Sequence, residues 1–116
     1  KDALGSKARI GRFGFAMVPM DEALADIALD ISGRSRLVFS GRVPRKLIAN
    51  FDPALTKEFF EGFADGAGLT LHIRLRYSDN SHHAVEAIFK TFALALSQAS
   101  AIDPRKKGIP STKGML

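Results

Sequence analysis

The chain has 116 residues, of which 46% are hydrophobic and nine are phenylalanine, enough to build the core of one domain. It contains no cysteine, which excludes disulfides, thiol nucleophiles and thiolate metal sites. The net charge of +5 favours an anionic partner such as nucleic acid, an acidic surface or a phosphorylated metabolite, and no apolar run approaches the ~18 to 20 residues of a membrane span, so we expect a soluble protein.

Three strands are predicted in the first part of the chain. Arg12 to Val18 has the composition of a short strand, which Pro19 is expected to end. Leu24 to Ile31 alternates apolar and polar or small residues, the period of a half-buried strand. Arg36 to Ser40 is predicted to be the third strand.

A helix is predicted to follow Asp52 and Pro53, which supply an N-cap and a proline at the first helical position. Gly66 or Gly68 is expected to end it. We expect one side of this helix to be buried: Leu55, Phe59, Phe60, Phe63 and Ala67.

The clearest strand runs from Leu69 to Tyr77, with its apolar residues and Tyr77 on the core face. His72, Arg74 and Arg76 fall on the opposite face, so His72 is expected to point away from the second helix.

Ser81 is predicted to cap the second helix, which must end before Asp103 and Pro104. These elements predict an α+β fold, an open sheet of about four strands covered on one face by two helices in the order β-β-β-α-β-α. Residues 1–116 are predicted to form a single domain with a flexible tail at 103–116. The expected buried stripe of the second helix is Val85, Ile88, Phe89, Phe92 and Leu96.

The start of the second helix carries the strongest chemical signal. At roughly 100° per residue, His82 and Glu86 lie about 40° apart, as do Glu86 and Lys90, whereas His83 points about 100° away from His82. One helix could therefore serve two metal ions. Imidazole and carboxylate donors without thiolate suit Mn, Fe or Zn, and favour a six-coordinate ion such as Mn. The alternative is a solvated histidine pair at a helix start.

A second alternative is a basic nucleic-acid-binding module whose strand arginines track phosphates. Such sheets interleave exposed aromatic residues with basic ones. Here Tyr77 is the only tyrosine, and most phenylalanines are predicted on buried stripes, so this function is not favoured.

Several segments, in order along the chain, resemble the C-terminal half of the imidazoleglycerol-phosphate dehydratase family. These enzymes of histidine biosynthesis remove water from their substrate to give imidazole acetol phosphate. The matching segments are Arg12-Phe13-Gly14, residues 18–24, residues 29–34, Glu58-Phe59-Phe60, Leu71-His72-Ile73, residues 80–86, Phe89-Lys90 and residues 109–114.

The resemblance implies a duplicated fold in which each half carries a His-His-x-x-Glu helix, with two Mn ions bound where halves and neighbouring subunits meet. By that pattern His82 and Glu86 bind one ion and His83 the other. Glu58 stands where many relatives have a further metal-binding histidine, and its carboxylate is expected to ligate Mn. Lys90 is implied as a catalytic residue that contacts the substrate near the metals.

The resemblance also assigns the substrate's phosphate to two arginines and a loop. The guanidinium groups of Arg12 and Arg34 offer a two-pronged hold, and a glycine-containing loop lets backbone amides approach. The loop residues are Ser111, Thr112, Lys113 and Gly114.

In the family, the catalytic base and the other metal ligands belong to the N-terminal half. The chain is therefore expected to be a fragment, one piece of a cleaved enzyme, or a half-domain assembled with a partner. A further alternative is an inactive, metal-free structural half retained for assembly. Expected partners are imidazoleglycerol phosphate, the N-terminal half and further subunits in a homo-oligomer built from trimers, without nucleic acid or membrane. The expected location is the cytoplasm, or the plastid in a plant or alga.

Overall fold

The computed structural model describes residues 2–116, which fold into an open sheet covered on one face by two helices. The sheet order is β1-β2-β4-β3, antiparallel except for the parallel pair β3 and β4. The α+β prediction is confirmed. The elements are β1 (Phe13–Met20), β2 (Ala23–Asp30), β3 (Arg36–Ser40), α1 (Leu55–Ala67), β4 (Thr70–Tyr77) and α2 (Ser81–Ser100), after a short 3-10 turn at Asp2–Leu4.

The first strand passes through the proline that was expected to end it. β1 extends to Met20, and Pro19 pairs with Leu24 of β2. The prediction of a strand ending before Pro19 is therefore wrong. Because β1 is an edge strand, one side of its backbone has no ladder partner, and a proline is tolerated there.

The core lies between the sheet and the helices. Ile27 of β2 with Leu71 and Ile73 of β4 are almost fully buried beneath Phe60 of α1 and Ile88 of α2. Alternation along β2 and β4 produces this face, as predicted from the period of two.

Tyr77 does not join the core, contrary to the sequence prediction. Its side chain is 62% exposed, although Leu75 two residues earlier is buried. The pairing of β2 with β4 shifts register between Leu24 and Ala25, which face Tyr77 and Leu75. Such a bulge rotates the strand end and turns the side chain out.

Helix α1 begins later than predicted and buries a narrower face. Asp52 does not cap it directly, because its Oδ1 accepts a hydrogen bond from the Ala54 backbone N–H at 2.9 Å in a turn before the helix. Gly68, with a φ of 70°, ends the helix as expected. Leu55 and Phe59, predicted inside, are 46% and 48% exposed, whereas the buried residues are Thr56, Phe60 and Ala64.

Helix α2 is capped by Asn80, not by Ser81 as predicted. The Asn80 side chain accepts a hydrogen bond from the His83 backbone N–H at 3.0 Å, and Ser81 is the first helical residue. The helix ends at Ser100, before Asp103, as predicted.

Small residues, not the predicted large ones, form most of the sheet-facing stripe of α2. Ile88 and Phe92 are buried as predicted, but Val85, Phe89 and Leu96 are only partly buried. The reason is close packing on β1, since a Cβ at Gly14 would overlap the Ala95 carbonyl oxygen and lie 3.2 Å from the Ala99 Cβ. The buried residues of α2 are Ser81, Ala84, Ala87, Ile88, Thr91, Phe92, Ala95 and Ala99.

The segment after α2 runs back along the residues that precede β1. The Arg9 N–H donates to the Gly108 carbonyl at 2.8 Å, and the Lys7 ammonium donates to the Leu116 carbonyl at 3.1 Å. Neither helix within residues 2–116 combines the length and apolarity needed to cross a bilayer.

Candidate functional site

His82, Glu86 and Lys90 form a continuous polar row on α2. His82 Nε2 lies 3.0 Å from Glu86 Oε2, and the Lys90 ammonium lies 2.8 Å from Glu86 Oε1. The helix creates this row because residues four apart share a face. Hydrogen bonds from Lys90 and then His82 lower the pKa of Glu86. The carboxylate therefore stays ionised, the form in which its oxygens can ligate a metal ion.

His83 points in a different direction, toward the turn between β1 and β2. Its Nδ1 is hydrogen-bonded to Glu22 Oε1, and its Nε2 lies 3.3 Å from Asp21 Oδ2. The rings of His82 and His83 are 6.1 Å apart and nearly perpendicular, at 78°. The expectation that the two histidines diverge is confirmed.

Glu22 is a site residue that sequence reasoning missed. Its Oε2 accepts hydrogen bonds from the Ser78 hydroxyl at 2.7 Å and from the Asp79 backbone N–H at 3.0 Å. These contacts and the one to His83 lower its pKa to about 2, Ser78 being the largest cause. Glu22 in turn raises the pKa of His83. The available sequence signal was the pair of acidic residues, Asp21 and Glu22, between two predicted strands. In the structure these two residues form the β1–β2 turn.

Acidification should therefore destabilise the chain between about pH 4.5 and about pH 2. Glu22 has a lower pKa folded than unfolded, so its contribution is present above the ordinary pKa of 4.5 and is lost as the pH falls through about 2. Urea unfolding across this range measures the effect. Asp103, whose pKa Arg105 lowers to about 2, adds a similar loss in every variant.

Glu22→Gln should make this acid dependence shallower. Glu61→Gln, which changes an exposed carboxylate of α1 in the same way, should leave it as in the parent chain. A Glu22→Gln slope equal to that of the parent would contradict the assignment.

Glu58 and His72 lie apart from the polar row of α2. Glu58 lines a groove with Ser35 and Arg36, beside β3. His72 lies on the open face of the sheet, as predicted, next to Phe15. Within residues 2–116, no three histidine or acidic side chains are grouped so that they could hold a metal ion together.

The open sheet face also corrects the expectation that most phenylalanines are buried. Phe13 and Phe15 are 60% and 58% exposed there. Arg74 and Arg76 share this face, but both bind the buried Asp26 carboxylate, at 3.2 and 2.5 Å. Because that carboxylate offsets part of their charge, the arginines form a structural cluster and do not favour a phosphate track.

Arg12 is held at the start of β1 by an acidic partner and by the tail. Its guanidinium makes a two-pronged ion pair with Asp30, at 2.7 and 3.3 Å, which raises the pKa of Arg12. A third donor reaches the Pro110 carbonyl at 2.8 Å. Arg12 therefore fixes the segment immediately before the predicted phosphate loop.

The predicted phosphate residues gather at one end of the sheet. The loop turns at Ser111, whose carbonyl accepts from the Gly114 N–H at 3.1 Å. The end of the chain then packs closely against Gly33. Any side chain at position 33 would clash, because its Cβ would lie only 2.5 Å from the Leu116 carbonyl carbon. Arg34, next to Gly33, is exposed at this same end.

Three of the four predicted metal ligands, His82, His83 and Glu86, lie at the other end, in the first turns of α2. Arg12 donates its backbone N–H to the Ala99 carbonyl near the end of α2, whereas His83 is in its first turn. Sixteen residues at 1.5 Å each separate the two places by about 24 Å. A small molecule cannot contact both sets of one chain.

Comparisons with known proteins agree on one family. The family model described as imidazoleglycerol-phosphate dehydratase matches residues 1–96. A protein of that name from Geobacter sp. (strain M21) is 52% identical over 116 residues, which are all of this chain and 60% of the relative. One from Bacillus licheniformis is 52% identical over 115 residues, 99% of this chain and 59% of the relative.

Two solved structures share the fold. The dehydratase from Staphylococcus aureus subsp. aureus N315 superposes with a TM-score of 0.84 at 39% identity, covering 88% of this chain and 59% of that one. The enzyme from Pyrococcus furiosus, in complex with (S)-C348, superposes with a TM-score of 0.83 at 36% identity. The match covers 99% of this chain and 64% of that one. The chain thus spans about 60% of the length of the relatives that it matches.

Proposed function

The chain belongs to the imidazoleglycerol-phosphate dehydratase family, and from this premise we propose that it takes part in the Mn-dependent dehydration of imidazoleglycerol phosphate. The product is imidazole acetol phosphate, an intermediate of histidine biosynthesis. The observation that carries the proposal is the arrangement at the start of α2, where donors of two neighbouring histidines face two different directions.

The donor set fits part of each of two Mn sites, whose remaining ligands would come from elsewhere in the assembly. His82 Nε2 and Glu86 Oε2 are 3.0 Å apart, close enough for both to ligate one ion. His83 would hold the second ion. Nitrogen and carboxylate oxygen donors without sulfur suit Mn. Glu58, which lies apart from both histidines, would ligate an ion completed by another part of the assembly.

When bound, the two Mn ions would supply Lewis acidity, stabilising the imidazole ring as it becomes electron-rich. Within this chain, Glu86 holds the Lys90 ammonium at 2.8 Å, on the same row as His82. Lys90 therefore presents a positively charged donor to the substrate beside the metal ligands. The base that removes the carbon-bound proton is expected outside this chain.

The phosphate would be bound at the other end of the molecule. Arg34 is exposed, and Arg12 anchors the turn that precedes Ser111 through the Pro110 carbonyl. Lys113 adds an exposed charge, and the backbone around Gly114 is open to an anion.

The metal ligands on α2 and the phosphate-binding residues lie about 24 Å apart in one chain. This distance supports active sites that are shared between polypeptides. Each site would combine the metal ligands of one chain with phosphate-binding residues of another, together with an N-terminal half. A homo-oligomer built from trimers would meet this need. We propose a location in the cytoplasm, or in the plastid if the source is a plant or alga.

Metal analysis tests the site assignment. The sample is a fusion protein that joins to this chain the N-terminal part of the Geobacter sp. relative that this chain does not match, here called the N-terminal half, supplying the ligands expected outside the chain. His82→Ala and His83→Ala should each lower the Mn content, because each removes a donor to a different ion. His72→Ala, a matched change on the open sheet face, should leave it unchanged. An equal loss in His72→Ala would overturn the assignment.

A further inference from the structure

We propose that Glu22 is a positioning residue that orients the His83 ring, so that Nε2 is presented to the metal ion. The inference rests on the proposed function, because it assigns a role beside one of the proposed Mn ligands. Metal-bound histidines commonly donate their other ring N–H to a carboxylate, which fixes both the tautomer and the ring orientation.

The contact has the form that this role requires. His83 Nδ1 meets Glu22 Oε1 across 61 residues of sequence, so the fold, and not local chain geometry, brings the pair together. With Nδ1 donating to the carboxylate, the lone pair of the neutral ring lies on Nε2. The His83 side chain is 28% exposed, which leaves it reachable from solvent.

Glu22 is itself fixed by its second oxygen. Oε2 accepts from the Ser78 hydroxyl and the Asp79 N–H, both in the turn that leads into α2. The Ser78 hydroxyl also lies 2.9 Å from the Asn80 carbonyl, and Asn80 caps the His83 N–H. The β1–β2 hairpin is thereby tied to the same helix start that carries His83.

His82 has no comparable partner among the described residues. It hydrogen-bonds to Glu86, one turn along the same helix, and its side chain is 61% exposed. The helix alone thus places His82, whereas the hairpin places His83. Asp21, 69% exposed and 3.3 Å from His83 Nε2, adds negative charge where a cation would approach.

The first test needs no metal. Long-range nitrogen-proton NMR on the metal-free chain, at a pH where the His83 signals no longer change and the ring is neutral, reports which His83 nitrogen carries the proton. The parent chain should show the Nδ1–H tautomer. Glu22→Ala should shift His83 toward Nε2–H, and Glu22→Gln should retain much of Nδ1–H, because its amide oxygen can still accept. Glu61→Ala is the matched control and should change nothing.

The second test measures Mn affinity in the fusion protein. Glu22→Ala should weaken Mn binding about 10- to 100-fold, with Glu22→Gln between it and the parent. Ser78→Ala removes the hydroxyl contacts to Glu22 and Asn80 but keeps the Glu22 carboxylate and its bond from the Asp79 N–H, so it should give a smaller loss. The inference would be overturned if Glu22→Ala kept both the His83 tautomer and the Mn affinity of the parent. If the parent fusion protein failed to bind Mn, the proposed function would be contradicted instead. The His83 tautomer in the metal-free chain would still show whether Glu22 orients the ring.

Discussion

Phe60→Ala is expected to destabilise the chain by about 3 to 5 kcal/mol, a large part of the stability of a typical domain. Phe60 is fully buried, and its ring packs 5.0 Å from those of Phe89 and Phe92. Truncation would leave a cavity where both helices meet the sheet, because close-packed neighbours relax only partly. Thermal unfolding should show a drop in Tm of more than about 10 °C.

Phe59→Ala supplies the matched control from the neighbouring position. Phe59 is 48% exposed, so the same truncation should cost about 1 to 2 kcal/mol, since roughly half as much apolar surface returns to water. Equal losses in the two variants would contradict the helix orientation. They would instead favour the sequence prediction, which placed both rings inside.

The strands could be predicted because their signal is local. The alternation in β2 and β4 identified the buried face, and Gly68 ended α1 where its left-handed φ is needed. Capping was harder, because Asn80 and Ser81 are both good caps and adjacent. The chain chooses Asn80, whose side chain reaches the His83 N–H.

Which face of each helix is buried could not be predicted from the helix sequence alone, because it depends on the strands that pack against the helix. Spacing alone could not show that α2 presents alanines to β1, since this follows from the close approach at Gly14. Glu22 escaped for the same reason, because its partner His83 is distant in sequence. Divergence of His82 and His83, by contrast, follows from helical geometry and was predicted.

Dehydration of imidazoleglycerol phosphate is the second large effect expected, and it depends on the N-terminal half. The chain spans about 60% of the length of its relatives, and its proposed metal ligands on α2 lie about 24 Å from its proposed phosphate set. The chain alone, supplied with Mn, should therefore lack appreciable activity. The fusion protein should be active, because under our proposal the N-terminal half would complete each metal shell and supply the base.

His82→Ala in the fusion protein is the control for the role of this chain. His82→Ala should remove most of the dehydratase activity, since the substrate's imidazole would lose one of its two proposed Mn contacts. His72→Ala, made in the same fusion, should remain close to the parent.

The most direct measurement is the rate of imidazole acetol phosphate formation by the purified chain and by the fusion protein, each loaded with Mn. We predict turnover by the fusion protein and none above background by the chain alone. Equal turnover by the two would contradict the claim that this chain supplies only half of each dinuclear site.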